Sequence, residues 1–138
     1  MTKEELLHEL AQETLVALKP SPVHGIGVFA ITDIPKGCRQ LFSKHNDHWI
    51  KVSIEEVEKL PSHSRSLVET YCLYDASHYY VPDYGFKIVD LVLYINHSSE
   101  PNIKSFNDGE YFEAMVDIPA GTELLINYGH ITDTEEYD

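Results

Sequence analysis

The pentapeptide Asp-Ile-Pro-x-Gly occurs twice, as Asp33-Ile34-Pro35-Lys36-Gly37 and Asp117-Ile118-Pro119-Ala120-Gly121. Pro presets one backbone angle of a turn and Gly supplies the left-handed residue that often follows, so each copy stops a regular element and reverses the chain. Two copies fit a pair of similar strand–turn–strand units; a solenoid needs at least three repeats. A third turn signal, Asn107-Asp108-Gly109, is flanked by residues 103–106 and 110–116 and predicts a hairpin. So much punctuation leaves room for short strands and a few short helices. It does not fit the alternation of strands with long helices that builds a parallel sheet.

The helices are marked by caps. Thr2 followed by Glu5 spells a capping box, and the leucines and alanines after it predict a helix over 2–18, stopped by Lys19-Pro20. This helix would pack on a sheet edge or a partner, a second copy of the chain included. Ser53 with Glu56 spells a second box, opening a helix over 53–60, and a further helix is expected near 64–71. Strands are expected at 28–31, 38–42, 87–95 and 123–127. The chain thus divides into residues 1–18, a compact body over 19–129, and an acidic, frayed tail over 130–138.

The stretch from Leu91 to Asn102 stands out. Five apolar residues, Leu91 to Ile95, give way abruptly to Asn96-His97-Ser98-Ser99-Glu100-Pro101-Asn102. An apolar element ending in small hydrogen-bonding residues is a way to hold a loop rigidly. Ser21 to Gly27 forms another loop, with Gly25 and Gly27 one residue apart, where the backbone can approach a ligand closely. It lacks the third glycine of a dinucleotide fingerprint and the Gly-Lys-Ser/Thr of a P-loop. Tyr71, Tyr74, Tyr79, Tyr80 and Tyr84 cluster in sequence, among nine tyrosines overall. A tyrosine buries a large ring but needs a partner for its hydroxyl, so the cluster suits either a polar-rimmed core or an aromatic-walled channel.

Charge and cysteine content narrow the chemistry. The net charge is -13, from 10 basic and 23 acidic residues. Such a surface repels nucleic acid and anionic membranes and draws in basic peptides, or serves solubility alone. Cys38 and Cys72 are isolated, and His45 and His48 have no second ligand pair at metal-site spacing, so neither a disulfide framework nor a metal is expected. The sequence offers no membrane span, and its charged start is unlike a signal peptide, so an intracellular location, cytoplasmic or nuclear, is expected.

Taken in order, HGIGVFA, YINHSSEPN and GTELLINYG resemble the SET-domain protein lysine methyltransferases, and the likeness extends over about residues 19–129. It implies a mainly β, β-clip fold of small curved sheets with a C-terminal pseudoknot, with S-adenosylmethionine on one face and a lysine peptide on the other. By motif, His24, Gly25, Ile26 and Gly27 would contact the methionine end of the cofactor. Asn96 and His97 would bind it around the adenosine. Tyr128 matches the family's catalytic tyrosine, and Tyr94 with Tyr71 or Tyr74 would line the lysine channel. The substrate would be a basic protein, histone tails among them. The chain departs from the family at Ser99, Leu93 and Asn127, where Cys, Arg and Asp are usual. It also lacks the cysteine-rich flanking segments, leaving Ile131, Tyr137 or a second subunit to complete the channel. Two function classes follow from the resemblance: a lysine methyltransferase, or a SET-like module without catalysis that binds or assembles.

Overall fold

The computed structural model describes residues 2–42, 49–83, 85–86, 90–107 and 109–132. The fold is mostly strands in small sheets, with a few short helices. In the largest sheet β1 (Val16–Pro20) pairs antiparallel with β2 (Ile26–Ala30), β2 with the strand Glu123–Ile126 near the C-terminus, and that strand runs parallel to Asn96–His97. A second sheet has β3 (Trp49–Ser53) beside His78–Pro82, which also pairs with the short β4 (Leu73–Tyr74). Counted along the chain, His78–Pro82 is β5, Asn96–His97 is β6, Ile103–Phe106 is β7, Tyr111–Ala114 is β8 and Glu123–Ile126 is β9. Strands β7 and β8 form the hairpin that Asn107-Asp108-Gly109 predicts, with Asn107 and Gly109 both at positive φ.

Two cores hold these pieces. The main one gathers Val16, Val28, Ala30, Ile34, Ile95, Ile103, Phe112, Ile118, Leu124 and Ile126, from the first and last thirds of the chain. Each fully buried aliphatic side chain contributes about 1.5–3 kcal/mol. A smaller core joins Val57, Val68 and Cys72 under the second sheet. It is closed by α2 (Ile54–Glu58) and α3 (Ser62–Tyr71), the former capped by the predicted Ser53–Glu56 box.

The repeated pentapeptides turn out to hold each other. Ile34 and Ile118 exchange both backbone hydrogen bonds at 2.8 Å, and both side chains are buried in the main core. Asp117 Oδ1 accepts from the Lys36 amide at 2.7 Å, and Asp33 Oδ1 accepts from the Ala120 amide at 2.8 Å. Each copy thus supplies the same carboxylate to the same position of the other. The repeat marks a two-fold clasp across the body, and the prolines bring no amide hydrogen of their own to be satisfied there.

Several expectations need correction. Helix α1 covers only Lys3–Gln12, and Leu15 to Leu18 belong to the strand side of the break, with Val16, Ala17 and Leu18 in β1. Its Thr2–Glu5 box is present as predicted, yet none of its residues is buried, and Leu6, Leu7 and Leu10 face outward. The segment 38–42 is not a strand: it is tied to the end of β8 by the bonds from Gly37 N–H to Ala114 O and from Ala114 N–H to Cys38 O. Of the strand expected over 87–95, residues 87–89 lie outside the described residues and Leu91–Tyr94 is a 3-10 helix. Asp90 makes the difference, since its carboxylate accepts from the Val92 amide at 3.1 Å and caps a helical turn. A short, wholly apolar run carries no periodicity to choose between the two. The tail begins with a helical turn, α4 (Gly129–Thr132), and residues 133–138, Tyr137 included, lie outside the described residues, as do His45, His48 and Tyr84. No helix among the described residues is long and apolar enough to cross a membrane.

Candidate active site

Strand β9 is where the distant motifs meet. It lies between β2, which continues the glycine loop, and β6, the Asn-His step. Beyond β6 the polar stretch keeps following β9. The Ser98 amide donates to Ile126 O at 2.9 Å, the Asn102 side chain donates to Glu123 O and accepts from the Leu125 amide, both at 2.8 Å. The polar residues after Ile95 are therefore used to fasten the C-terminal strand against the loop.

Tyr128 sits just past the end of β9, folded back on this junction. Its hydroxyl donates to Ile95 O at 2.5 Å, and its amide donates to His97 Nδ1 at 3.0 Å. With Nδ1 as acceptor, the neutral imidazole carries its proton on Nε2. The two rings stand 5.0 Å apart, tilted by 52°. Asn127 Oδ1 accepts from the Gly129 amide at 2.9 Å, which starts α4 and fixes the direction in which the chain leaves the site. Ile131 from that turn packs on the main core, as Tyr94 and Tyr128 do.

The Tyr128 ring is half-buried with its hydroxyl end turned inward. Burial, and after it the negative charge of Glu123, pushes the phenol up to about 12. Its value in the folded chain thus lies above the ordinary 10.0, so folding favours the protonated form. The corresponding stabilisation is fully present below pH about 10 and is lost as the pH rises through about 12. In an ultraviolet phenolate titration the signal missing from a Tyr128→Phe variant should be one that ionises well above the ordinary tyrosine value; a missing signal at that ordinary value would contradict this environment.

The glycine loop is held from its inner side. Asn96 is buried, and its Nδ2 donates to His24 O at 2.9 Å, Ile26 O at 3.4 Å and Glu123 Oε2 at 2.8 Å. Ser21 Oγ donates to the Glu123 carboxylate at 2.7 and 2.9 Å and accepts from the Val23 and His24 amides. Gly25 takes φ +48° in open space, where an added Cβ would meet nothing within 4 Å. Gly27 is needed for a different reason: a Cβ there would lie 2.1 Å from Glu123 Oε2. The predicted residues His24 to Gly27, Asn96, His97 and Tyr128 are thereby brought to one junction.

The tyrosines separate. Tyr71 packs on Tyr94 at 5.3 Å and on Phe86 at 6.5 Å, whereas Tyr74 packs on Tyr79 at 6.0 Å. Of the two candidates for the place beside Tyr94, it is Tyr71 that the chain puts there. Three participants were not singled out from sequence: Glu123, Ser21 and Phe86. Glu123 lies in the GTELLINYG stretch and opens an otherwise apolar strand, but was given no role there. Ser21 and Phe86 looked like ordinary loop residues. Among the described residues no group of three or more His, Cys, Asp or Glu could hold a metal ion.

Comparison with known proteins bears on this arrangement. A family profile described as SET domain matches residues 25–129. No curated protein matches the sequence. Among solved structures, the chain is similar to a Plasmodium falciparum protein provisionally described as a histone methyltransferase, at 20% identity and TM-score 0.51, over 85% of this chain and 95% of that one. At this identity the likeness concerns the fold. It is also similar to an apo form of the Chaetomium thermophilum polycomb repressive complex 2 carrying two substitutions, at 27% identity and TM-score 0.56. A humanized mutant of that complex bound to an inhibitor matches at 25% identity and TM-score 0.52. Each of these two matches covers 92% of this chain but 18% of the polycomb chain, so the chain spans under a fifth of their length.

Proposed function

The chain belongs to the SET-domain family, and on that premise we propose that it transfers a methyl group from S-adenosylmethionine to a lysine ε-amine of a basic protein. The observation that carries this reading is the junction of Tyr128 with Ile95, His97 and the Asn96-braced loop. A protonated phenol, turned inward and fixed by a backbone carbonyl, is placed where two separate sequence motifs converge.

The residues fit the cofactor. The loop over Val23 to Ile26 is exposed on its outer side, open at Gly25, and locked on its inner side by Ser21, Asn96 and Glu123. A backbone surface that is rigid before binding loses little entropy when a ligand settles on it. His24, Gly25, Ile26 and Gly27 would hold the methionine end, Asn96 acting through the loop it braces, and His97 would flank the adenosine. When bound, the sulfonium supplies an electrophilic methyl group, so the protein itself needs to bring no strong catalyst.

What remains for the chain is alignment, dryness and charge. The incoming amine must be neutral, because an ammonium has no lone pair. Tyr71, Tyr94 and Phe86 would offer an apolar wall that lowers the lysine pKa. Tyr128, protonated throughout the working pH range, would orient the amine through its hydroxyl and hold it at near-attack distance. The proton leaves to solvent. Once the amine is methylated and charged, the negative faces of the rings would stabilise it.

The net charge of -13 favours a lysine-rich substrate, and histone tails satisfy that chemistry. The same charge disfavours direct contact with nucleic acid or anionic membranes, which suits an intracellular, cytoplasmic or nuclear protein. A thermal-shift series with S-adenosylmethionine and S-adenosylhomocysteine tests the cofactor assignment. Ligand at 100 times its dissociation constant stabilises by about 2.7 kcal/mol, or about 5–10 °C for a chain of this size. No shift at millimolar ligand would favour a SET-like binding or assembly module instead.

A further inference from the structure

Glu123 is a carboxylate with 8% exposure in the strand beneath the glycine loop. Carboxylates are almost never buried this far unless paired, and removing such a charge from water costs several kcal/mol. Among the described residues no ammonium or guanidinium is one of its hydrogen-bond partners; these are Ser21 Oγ at 2.7 and 2.9 Å and Asn96 Nδ2 at 2.8 Å. An apolar residue at the head of β9 would pack more cheaply. The two partners explain why a carboxylate is there.

Both partners act on the same residue of the loop. Ser21, with its proton given to Glu123, accepts from the amide of His24 at 3.3 Å and from that of Val23 at 2.9 Å. Asn96, anchored to Glu123 by the same amide nitrogen, donates to the carbonyl of His24 at 2.9 Å and to that of Ile26 at 3.4 Å. The backbone of His24 is therefore clamped at its N–H and at its C=O, and both clamps converge on one carboxylate. Gly27 belongs to the same unit, since any side chain there would collide with Glu123. Ser21, Gly27 and Asn96, three residues from two distant motifs, are each fitted to one acidic side chain.

We propose that Glu123 is the positioning residue of the cofactor loop: through Ser21 and Asn96 it fixes the backbone over 23–26 in the shape that accepts S-adenosylmethionine. The role rests on the methyltransferase reading above. It acts at one remove from the ligand, so its loss should be felt in cofactor affinity before anything else. A serine that has lost its acceptor and an amide that has lost its anchor leave the loop free to wander, while the tyrosine side of the junction stays in place.

The test compares Glu123→Ala, Glu123→Gln and Ser21→Ala with wild type, using calorimetric binding of S-adenosylhomocysteine and steady-state transfer to a lysine-rich peptide. Glu123→Ala should weaken S-adenosylhomocysteine binding and raise the KM for S-adenosylmethionine by about tenfold or more, the size of one hydrogen bond to a charged group. The KM for the peptide should stay within about twofold and kcat should change less than the cofactor KM. Glu123→Gln keeps one acceptor and should recover part of the affinity. Ser21→Ala should lie between, and Ser21→Ala combined with Glu123→Ala should be no worse than Glu123→Ala alone, because they remove one unit. A folded Glu123→Ala protein with wild-type affinity would overturn the proposal. If that variant does not fold, a folded Ser21→Ala protein with wild-type affinity overturns it equally. Wild-type protein that binds neither ligand overturns the cofactor reading itself, and this role with it.

Discussion

Replacing Tyr128 by Phe should lower methyl transfer about 100- to 1,000-fold, the usual cost of removing one preorganised hydrogen-bonding group from a reacting centre. Affinity for S-adenosylhomocysteine should stay within about twofold, since the loop that would carry the cofactor is held by Ser21, Asn96 and Glu123 rather than by the phenol. The fold should survive as well. The ring keeps its place against His97 and the main core, and the lost bond to Ile95 O costs about 1 kcal/mol. The Tyr128 amide still reaches His97 Nδ1, so the imidazole keeps its orientation. Single-turnover transfer beside calorimetric binding separates these effects. Transfer at the wild-type rate would remove Tyr128 from the chemistry. A parallel loss of binding would make it a structural residue.

Gly27→Ala should have the largest effect on the loop. The new Cβ would lie 2.1 Å from Glu123 Oε2, 2.8 Å from Glu123 Cδ and 3.0 Å from Asn96 Nδ2. The carboxylate is the far end of a flexible side chain, but it cannot simply swing aside, because Ser21 and Asn96 hold it in a buried place. The expected cost is about 2–3 kcal/mol in urea unfolding, the range of an overpacked interior, with weaker cofactor binding on top. Gly25→Ala should cost less, about 1–2 kcal/mol, because it meets no neighbour and strains only the backbone at φ +48°. The comparison has an internal control. In a Glu123→Ala background most of the steric part of the Gly27→Ala penalty should go, leaving only the approach to Asn96, so the double variant should be more stable than the sum of the singles by about 1 kcal/mol or more. Additive penalties would show that the close approach to Glu123 is not what demands glycine at 27.

The parts of the fold that turn chemistry dictates were readable from the sequence. The Asp-Ile-Pro-x-Gly turns, the Asn107–Gly109 hairpin and the two capping boxes each use local rules, and local rules survive folding. What the pentapeptides do for one another was not readable, because the clasp between Asp33 and Ala120 joins positions far apart in the chain. The Leu91–Tyr94 turn failed for the opposite reason. Its apolar composition suits a strand, and the deciding bond comes from one side chain, Asp90, acting on the next residues. In the N-terminal segment, a helix signal and a strand signal follow each other without a glycine or proline between Gln12 and Val16 to mark the border.

The site was legible as a set of motifs but not as a mechanism of support. The resemblance implies that Asn96 binds the cofactor; the sequence gives no hint that its side-chain amide also braces the carbonyls of His24 and Ile26 and pairs with Glu123. Glycine at 25 and glycine at 27 look alike in sequence, yet one answers a backbone angle and the other a buried carboxylate. The choice between Tyr71 and Tyr74 depended on which ring each one packs against, and Tyr71 packs on Tyr94 while Tyr74 packs on Tyr79.

The central claim is that this chain methylates lysine, and a transfer assay with radiolabelled S-adenosylmethionine tests it most directly. The purified protein is incubated with core histones, ribosomal proteins and a whole-cell lysate, each with and without Tyr128→Phe as control. The label should enter at least one basic protein, and mass spectrometry should place one or more methyl groups on a lysine ε-amine, with the signal lost in the variant. Wild-type protein that binds S-adenosylmethionine yet labels nothing in any of the three pools, or labels them equally with Phe at 128, would contradict it.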